Sequence, residues 1–137
     1  MSLEVLSNQL AELYDKMSSW EHSIVKDSGL SPTQIHTVEI IGLNKNIRMK
    51  ELAERLGVTT GTLTVSVDKL EKLGLVKRKP HENDRRSWLI VLTKKGEKVY
   101  ERHHKFHQQF TNEISQDLSS RHVTTLTELL DTLLKRL

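Results

Sequence analysis

Cysteine is absent from this sequence of 137 residues. Its absence excludes thiol nucleophiles, disulfide frameworks, iron–sulfur clusters and cysteine-based zinc sites. Only two prolines and six glycines are present, so long irregular loops are not expected, and aromatic residues make up just 4%. No apolar run approaches the roughly 20 residues of a membrane-spanning helix, and the N-terminus lacks the features of a signal peptide. We therefore expect a cytoplasmic protein with one domain and no membrane partner.

Positive charge is concentrated in one third of the chain. The whole sequence has 21 Lys and Arg against 18 Asp and Glu, a net charge of +3. Residues 69–105, however, contain 12 basic residues and only 5 acidic ones. A concentrated basic segment fits a nucleic-acid-binding surface, although an ordinary solvated face has the same composition. Charge alone therefore leaves both interpretations open.

Hydrophobic spacing predicts six helices and one β-hairpin, in the order α-α-α-α-β-β-α-α. Apolar residues repeat every three or four positions over residues 3–26, and again in a last helix that begins after Ser119 or Ser120. Between them the period changes, because residues 75–79 and 88–92 have the pattern of two strands joined by a turn. The sequence thus predicts a mainly α fold with a small β-hairpin.

Residues 50–70 have the pattern of a helix-turn-helix. Ala53 lies where two helices would cross, and Gly57 permits the turn, so the second helix must leave the first at a steep angle. With Leu63 at the buried pole, the outward face carries short side chains suited to the major groove and a basic end suited to phosphate. These candidate DNA-contacting residues are Thr59, Thr60, Gly61, Thr62, Thr64 and Lys69.

The β-hairpin that follows is strongly basic. An arginine at the tip of such a hairpin suits the narrow, negative minor groove of A·T-rich DNA. Asp84 stands two residues before Arg86 and can orient its guanidinium group. A helix-turn-helix followed by a basic hairpin indicates a winged helix, and its further candidate DNA-contacting residues are Lys79, Asp84, Arg85 and Arg86.

The hairpin leads into a recognisable motif: Asp84-Arg85-Arg86, five residues, then Leu92-Thr93-Lys94-Lys95-Gly96. With this motif, and with the upstream segment Glu51–Val58, the sequence resembles the MarR family of bacterial transcriptional regulators. The resemblance implies a ligand-responsive repressor that binds double-stranded DNA at a palindromic operator as a homodimer. It also implies that Arg86 enters the minor groove and that Asp84 positions it.

The resemblance covers the whole chain, which we therefore interpret as one MarR-like domain over residues 1–137. Residues 47–93 would form the DNA-binding lobe, and the helical regions 3–43 and 94–137 would dimerise. The apolar stripes of the first and last helices support dimerisation independently, because they are longer than one small domain needs for its own core. Packing within one subunit is the alternative.

Histidines on the fifth helix suggest a metal or ligand site. His103 and His107 are four residues apart, so both can bind one ion, and His36 with Glu21 would complete a tetrahedral zinc set. Zinc-uptake repressors of the MarR family are similar here. The fifth helix also resembles the family's fatty-acid-synthesis repressors, which respond to acyl chains on acyl carrier protein. We favour pocket-lining histidines, with no required cofactor, over zinc.

Enzymatic function is not expected. The sequence contains no P-loop, no G-x-G-x-x-G, no H-E-x-x-H and no G-x-S-x-G motif. The alternative to a DNA-binding regulator is a winged helix that binds protein or RNA, in which the fourth helix would not be available to DNA.

Overall fold

The computed structural model describes residues 2–81 and 83–137, and the side chains of all of these except Ser2, Asp84, Arg85 and Arg86. Within this part of the chain six helices and three strands form a mainly α fold, which confirms the predicted class. The elements in chain order are α1 (Ser2–Lys26), α2 (Pro32–Asn44), β1 (Asn46–Arg48), α3 (Met49–Leu56), α4 (Thr60–Lys72), β2 (Val76–His81), β3 (Asp84–Leu92), α5 (Lys94–Ile114) and α6 (Ser120–Leu134).

The sheet has one strand more than the sequence predicted. The additional strand is β1, which pairs antiparallel with β3 through Ile47 opposite Ile90. The strand order is β1-β3-β2, so β3 is central. β3 also begins at Asp84, four residues before the expected start at Trp88, and a register irregularity falls between Pro80 and His81. The predicted hairpin is therefore one half of a three-stranded sheet.

One hydrophobic core joins the α3–α4 pair to the sheet. Leu63, Val67 and Leu70 on the inner face of α4 have no exposed surface, and neither does Ile90 of β3. These side chains belong to one buried cluster with residues of α2, β1, α3 and β2. Burial of such aliphatic side chains stabilises the fold by roughly 1.5–3 kcal/mol each. The core therefore fixes how α4 lies on the sheet.

Local signals set the ends of several helices as the sequence indicates. Ser31 caps α2 in a capping box, in which its hydroxyl accepts from the Gln34 N–H and the Gln34 side chain accepts from the Ser31 N–H. Gly57 ends α3 in the left-handed conformation with φ of 68°. Ser119 caps α6 by accepting from the His122 N–H.

The described chain divides into two compact units, one reaching His103 and the other running from His104 to Leu137. The first contains the sheet and the helices from α1 to α4, and the dividing point lies within α5. The second contains the rest of α5 and α6. No helix among the described residues is both long enough and apolar enough to span a membrane.

The Leu-Thr-x-x-Gly motif has a direct structural role at the start of α5. The Thr93 N–H donates to the Leu75 carbonyl at 3.0 Å, and the Gly96 N–H donates to the Thr93 hydroxyl at 3.1 Å. Gly96 is buried, and a Cβ built on it would overlap the Leu75 carbonyl oxygen. Threonine therefore holds the turn, and glycine allows the backbone of α5 to approach the residue before β2.

We expect Gly96→Ala to lower the free energy of unfolding by about 1–3 kcal/mol, because the added methyl group meets backbone that cannot rotate away. Gly61→Ala is the matched control. Gly61 also lies in the first turn of a helix, but the nearest atom to a methyl group added there is the Thr59 hydroxyl oxygen at 3.9 Å. The control should be neutral or stabilising by up to about 1 kcal/mol. Urea unfolding at one protein concentration measures both, and equal effects would contradict the prediction.

Candidate functional site

α3 and α4 form a tight helix-turn-helix. Only residues 57–59 separate the two helices, and the Gly57 and Val58 N–H groups donate to the Glu54 and Ala53 carbonyls. Thr59 then caps α4, because its hydroxyl accepts from the Thr62 N–H at 3.1 Å. Because the turn is this short, α4 begins directly after α3 and changes direction, so its surface is distinct from that of α3.

The outward face of α4 is exposed. Its inner face is the buried stripe of Leu63, Val67 and Leu70. The outward positions are exposed, and Val65 among them retains 56% of its surface. These are the positions that the helical spacing places outward: Thr60, Gly61, Thr62, Thr64, Val65, Asp68 and Lys69.

The threonines of this face are partly oriented by the helix itself. The Thr64 hydroxyl donates to the Thr60 carbonyl at 2.8 Å, and the Thr59 hydroxyl donates to that of Thr62 at 3.0 Å. A threonine whose proton is used in this way still offers an oxygen acceptor and a methyl group. Both are groups that base edges in a major groove can contact.

The candidate residues of the hairpin fall into two sets. Lys79 is exposed on β2, as expected for a surface that meets phosphate. The second set is Asp84, Arg85 and Arg86. These residues are part of β3, but their side chains are not among those that the structure describes. The minor-groove role expected of Arg86 therefore stays a prediction.

Arg78 of the basic segment is directed into the protein and not toward solvent. Arg78 belongs to the basic hairpin by sequence, but its guanidinium turns to α4, where it pairs with Asp68 at 2.8 Å and with Glu71. Its side chain is only 21% exposed. The sequence contained a signal for this, because Arg78 stands two residues after the buried Val76 and so shares its side of the strand.

A second polar cluster lies where α1, α2 and α5 meet within the first unit. His103 is 5% exposed, and its Nε2 lies 2.8 Å from a Glu21 oxygen and 3.2 Å from a Glu39 oxygen. Burial, and then the nearby charge of Glu21, raise the pKa of Glu39 to about 7. The three ligand atoms lie within 4.8 Å of one another, a spacing that a metal ion can bridge.

This cluster differs from the set expected from the sequence. Glu21 and His103 are together, but their further partner is Glu39, which the sequence analysis missed although it is the one carboxylate of α2. His107 follows one turn after His103 on α5 and belongs to the second unit.

His36 is not part of this cluster and lies elsewhere on α2. It is exposed and lines a cleft of about 390 Å³ beside the helix-turn-helix. His36 precedes Glu39 by almost one turn, so the two side chains are separated along the axis of α2. The other residues lining the cleft are Pro32, Thr33, Leu56, Val58, Thr62, Leu63 and Ser66.

Comparison with known sequences finds transcriptional regulators. The model of the MarR family matches residues 30–88, from before α2 into β3. The HTH-type transcriptional regulator BilQ of Clostridium symbiosum is 30% identical over 111 residues, which are 81% of this chain and 77% of BilQ. The homoprotocatechuate degradative operon repressor of Escherichia coli is 28% identical over 126 residues, which are 92% of this chain and 85% of the repressor.

Solved structures with the same fold include complexes with DNA. A mutant MarR from Escherichia coli complexed with operator DNA has a TM-score of 0.71 at 28% identity, covering 94% of this chain and 93% of that one. Streptococcus pneumoniae FabT in complex with DNA has a TM-score of 0.68 at 26% identity, covering 89% and 95%. NadR in complex with 4-hydroxyphenylacetate has a TM-score of 0.76 at 25% identity, covering 90% and 88%.

Proposed function

Because the chain belongs to the MarR family of transcriptional regulators, we propose that it is a ligand-responsive repressor that binds a palindromic operator as a homodimer. The uncovered face of α4 is the observation that carries this proposal. A helix that enters the major groove needs one face anchored in its own domain and the other lined with short groups that reach base edges. α4 has both kinds of face: its buried leucines and valine anchor one side of the helix, and short side chains line the other.

The arrangement of charge supports the same proposal. Lys69 and Lys72 lie in the last turns of α4, and Lys77 and Lys79 are exposed on β2. Lysines around a groove-binding helix attract phosphate and fix its register without selecting sequence. Arg86 is proposed, from the family resemblance alone, to add selectivity for A·T-rich flanks. A winged helix that binds protein or RNA would not require this combination.

Repression is supported by the names of relatives. One similar protein is named as an operon repressor, and two similar structures contain DNA. The two relatives described above are named as a regulator and a repressor. We therefore propose a regulatory rather than catalytic role for this chain.

We expect Lys69→Ala to weaken binding uniformly across sequences and to reduce the salt slope of DNA binding by about 1, because one phosphate contact is lost. Arg86→Ala should instead relax the preference for A·T flanks, at a loss of about 1–3 kcal/mol on the preferred duplex. The duplex is first selected from a random-sequence pool by the wild-type protein. Fluorescence anisotropy at several salt concentrations then measures each variant.

Lys16→Ala on α1 is the control for charge, since it removes one exposed lysine outside the helix-turn-helix and the sheet. It should bind the selected duplex as the wild type does. Failure of the wild type to enrich any duplex would contradict the proposed function. Wild-type binding by both Lys69→Ala and Arg86→Ala would contradict the proposed contacts.

Dimerisation is proposed from the apolar surface of the terminal helices. α6 has no buried residue, and Leu126, Leu130 and Leu133 remain 41–46% exposed. α1 likewise exposes the stripe that contains Leu6 and Leu10. Stripes of this length at heptad spacing match a helical interface with a second copy. Two α4 helices joined in this way would meet successive major grooves about 34 Å apart.

We expect Leu130→Glu to convert the dimer to monomer in sedimentation velocity, because a carboxylate would be buried in the apolar interface. The affinity for the selected palindrome should fall as the dimer is lost, whereas the affinity for a duplex with a single half-site should change much less. Thr124→Glu is the control, since Thr124 is exposed on the opposite side of α6 from the stripe. An unchanged sedimentation coefficient for Leu130→Glu would refute the proposed interface.

An effector is proposed to act at the cluster of Glu21, Glu39 and His103. One imidazole and two carboxylates are ordinary zinc ligands, and their atoms have the spacing of a metal site. By helix geometry His107 presents a second imidazole on the same face of α5 as His103. Acyl chains on acyl carrier protein are the other proposed effector, and the complex of NadR with 4-hydroxyphenylacetate, a small organic acid, supports an organic ligand for a similar fold.

We expect Glu39→Gln to weaken zinc binding at least about tenfold, a loss that even outer-shell partners of a metal can cause. His36→Ala should bind zinc as the wild type does, because His36 lies beside α4 and not in the cluster. Competition with a chromophoric chelator measures the affinity. Zinc binding that needs His36 but not Glu39 would restore the set expected from the sequence. Zinc without effect on DNA retention, beside an effect of acylated carrier protein, would favour the lipid effector.

A further inference from the structure

Arg78 connects the sheet to the recognition face of α4. It lies in the middle of β2, opposite Ile90 of the central strand. Its Nη2 donates to Asp68 at 2.8 Å, and its Nη1 donates to Glu71. Two nitrogens of one guanidinium thus engage two carboxylates of α4, with the arginine 21% exposed and Asp68 54% exposed.

The two carboxylates lie on one flank of α4. Asp68 and Glu71 are three residues apart and therefore neighbours on the helix surface, beside the outward face that carries Gly61 and Val65. Lys69 lies on the opposite flank. The surface that would meet DNA therefore has negative charge along the side next to the sheet and positive charge along the other.

We propose that Arg78 is a positioning residue for DNA binding that neutralises Asp68 and Glu71 and fixes α4 against the sheet. This inference rests on the proposed function, since it assigns Arg78 a role within operator binding. It differs from the role of an arginine that contacts the duplex, because the guanidinium is directed into the protein and not toward phosphate.

Electrostatics gives the first part of the argument. A carboxylate beside a phosphate-lined groove repels the duplex, because like charges brought together at an interface disfavour binding. A single cation held between two carboxylates reduces this repulsion at both. The arginine thereby lets α4 keep two acidic residues at its edge without losing affinity.

Geometry gives the second part. The planar guanidinium fork is matched to two acceptors at once, whereas a lysine ammonium is a point charge without that fixed direction. A fork held at Asp68 and Glu71 restrains both the rotation of α4 and its distance from β2. Binding to bases is sensitive to such placement, while binding to phosphate alone is much less so.

A double-mutant cycle on the full chain separates this role from a direct DNA contact. The variants are Arg78→Met, Asp68→Asn/Glu71→Gln, and the triple variant that combines them. The probes are the duplex selected by the wild type and a scrambled duplex of the same composition. Lys77→Met is the matched control, because it removes the neighbouring cation of β2, which is exposed. Thermal unfolding followed by circular dichroism confirms that each variant is folded.

We expect Arg78→Met to weaken binding to both duplexes, and to the selected one at least about tenfold. The triple variant should recover binding to the scrambled duplex, because the uncompensated carboxylates are gone, but not the discrimination between the two duplexes, because the guanidinium fork that positions α4 is absent. Lys77→Met, made both in the wild type and in Asp68→Asn/Glu71→Gln, should weaken binding by the same factor in the two backgrounds. Asp68→Asn/Glu71→Gln should bind scrambled DNA several-fold more tightly and discriminate less between the two duplexes, since Arg78 is released. That last variant keeps Arg78, so the inference remains testable if Arg78→Met does not fold.

Three results would overturn the inference. Wild-type binding by Arg78→Met would remove any role of this arginine in DNA binding. A loss of binding to the scrambled duplex that persists in the triple variant would make Arg78 a direct phosphate contact. Unchanged discrimination by Asp68→Asn/Glu71→Gln would show that the ion pairs do not position α4. Failure of the wild type to select a duplex is a different result, because it would refute the proposed function itself and this role with it.

Discussion

The burial of one face of α4 is the constraint on which the rest of the molecule depends. Leu63, Val67 and Leu70 have no exposed surface, so the rotation of the helix about its axis is fixed. Every other position on α4 then has a determined direction, and the small, polar residues must face away from the domain. The same buried cluster includes Leu75, Val76 and Ile90, so the root of the sheet is fixed by the packing that fixes α4.

The helices could be predicted from the sequence because their signals are local. Ser31, Gly57 and Ser119 mark helix ends through side-chain or backbone bonds within a few residues, and the structure contains those bonds. β1 could not be predicted in the same way. It is three residues long, too short to show alternation, and it exists because Ile47 pairs with Ile90, far along the chain. Pairing between residues so far apart in the chain cannot be recognised from the spacing of apolar residues within a short segment.

The candidate sites divide along the same line. The exposed face of α4 follows from helical periodicity and was predictable residue by residue. The partners of Arg78 and His103 depend instead on which elements meet in space. Alternation along β2 places Arg78 on the side of Val76, but it does not say that two carboxylates lie there. The same limit applies to Glu39. A single acidic residue in an apolar helix indicates that it has a polar partner, but the sequence does not identify His103 as that partner.

α2 is the element through which the two ionic clusters can influence each other. Glu39 contacts His103 on one side of this 13-residue helix. One turn earlier His36 lines the cleft formed with Thr62, Leu63 and Ser66 of α4. Two sites are coupled when both bias the position of one rigid element. A ligand that changed the position of Glu39 would therefore displace a helix whose preceding turn lines a cleft with α4. The contact of Arg78 with the α4 carboxylates would resist that displacement from the opposite flank of α4. In such an arrangement the affinity for DNA depends on the balance between the displacement of α2 by the ligand and the restraint of α4 by Arg78.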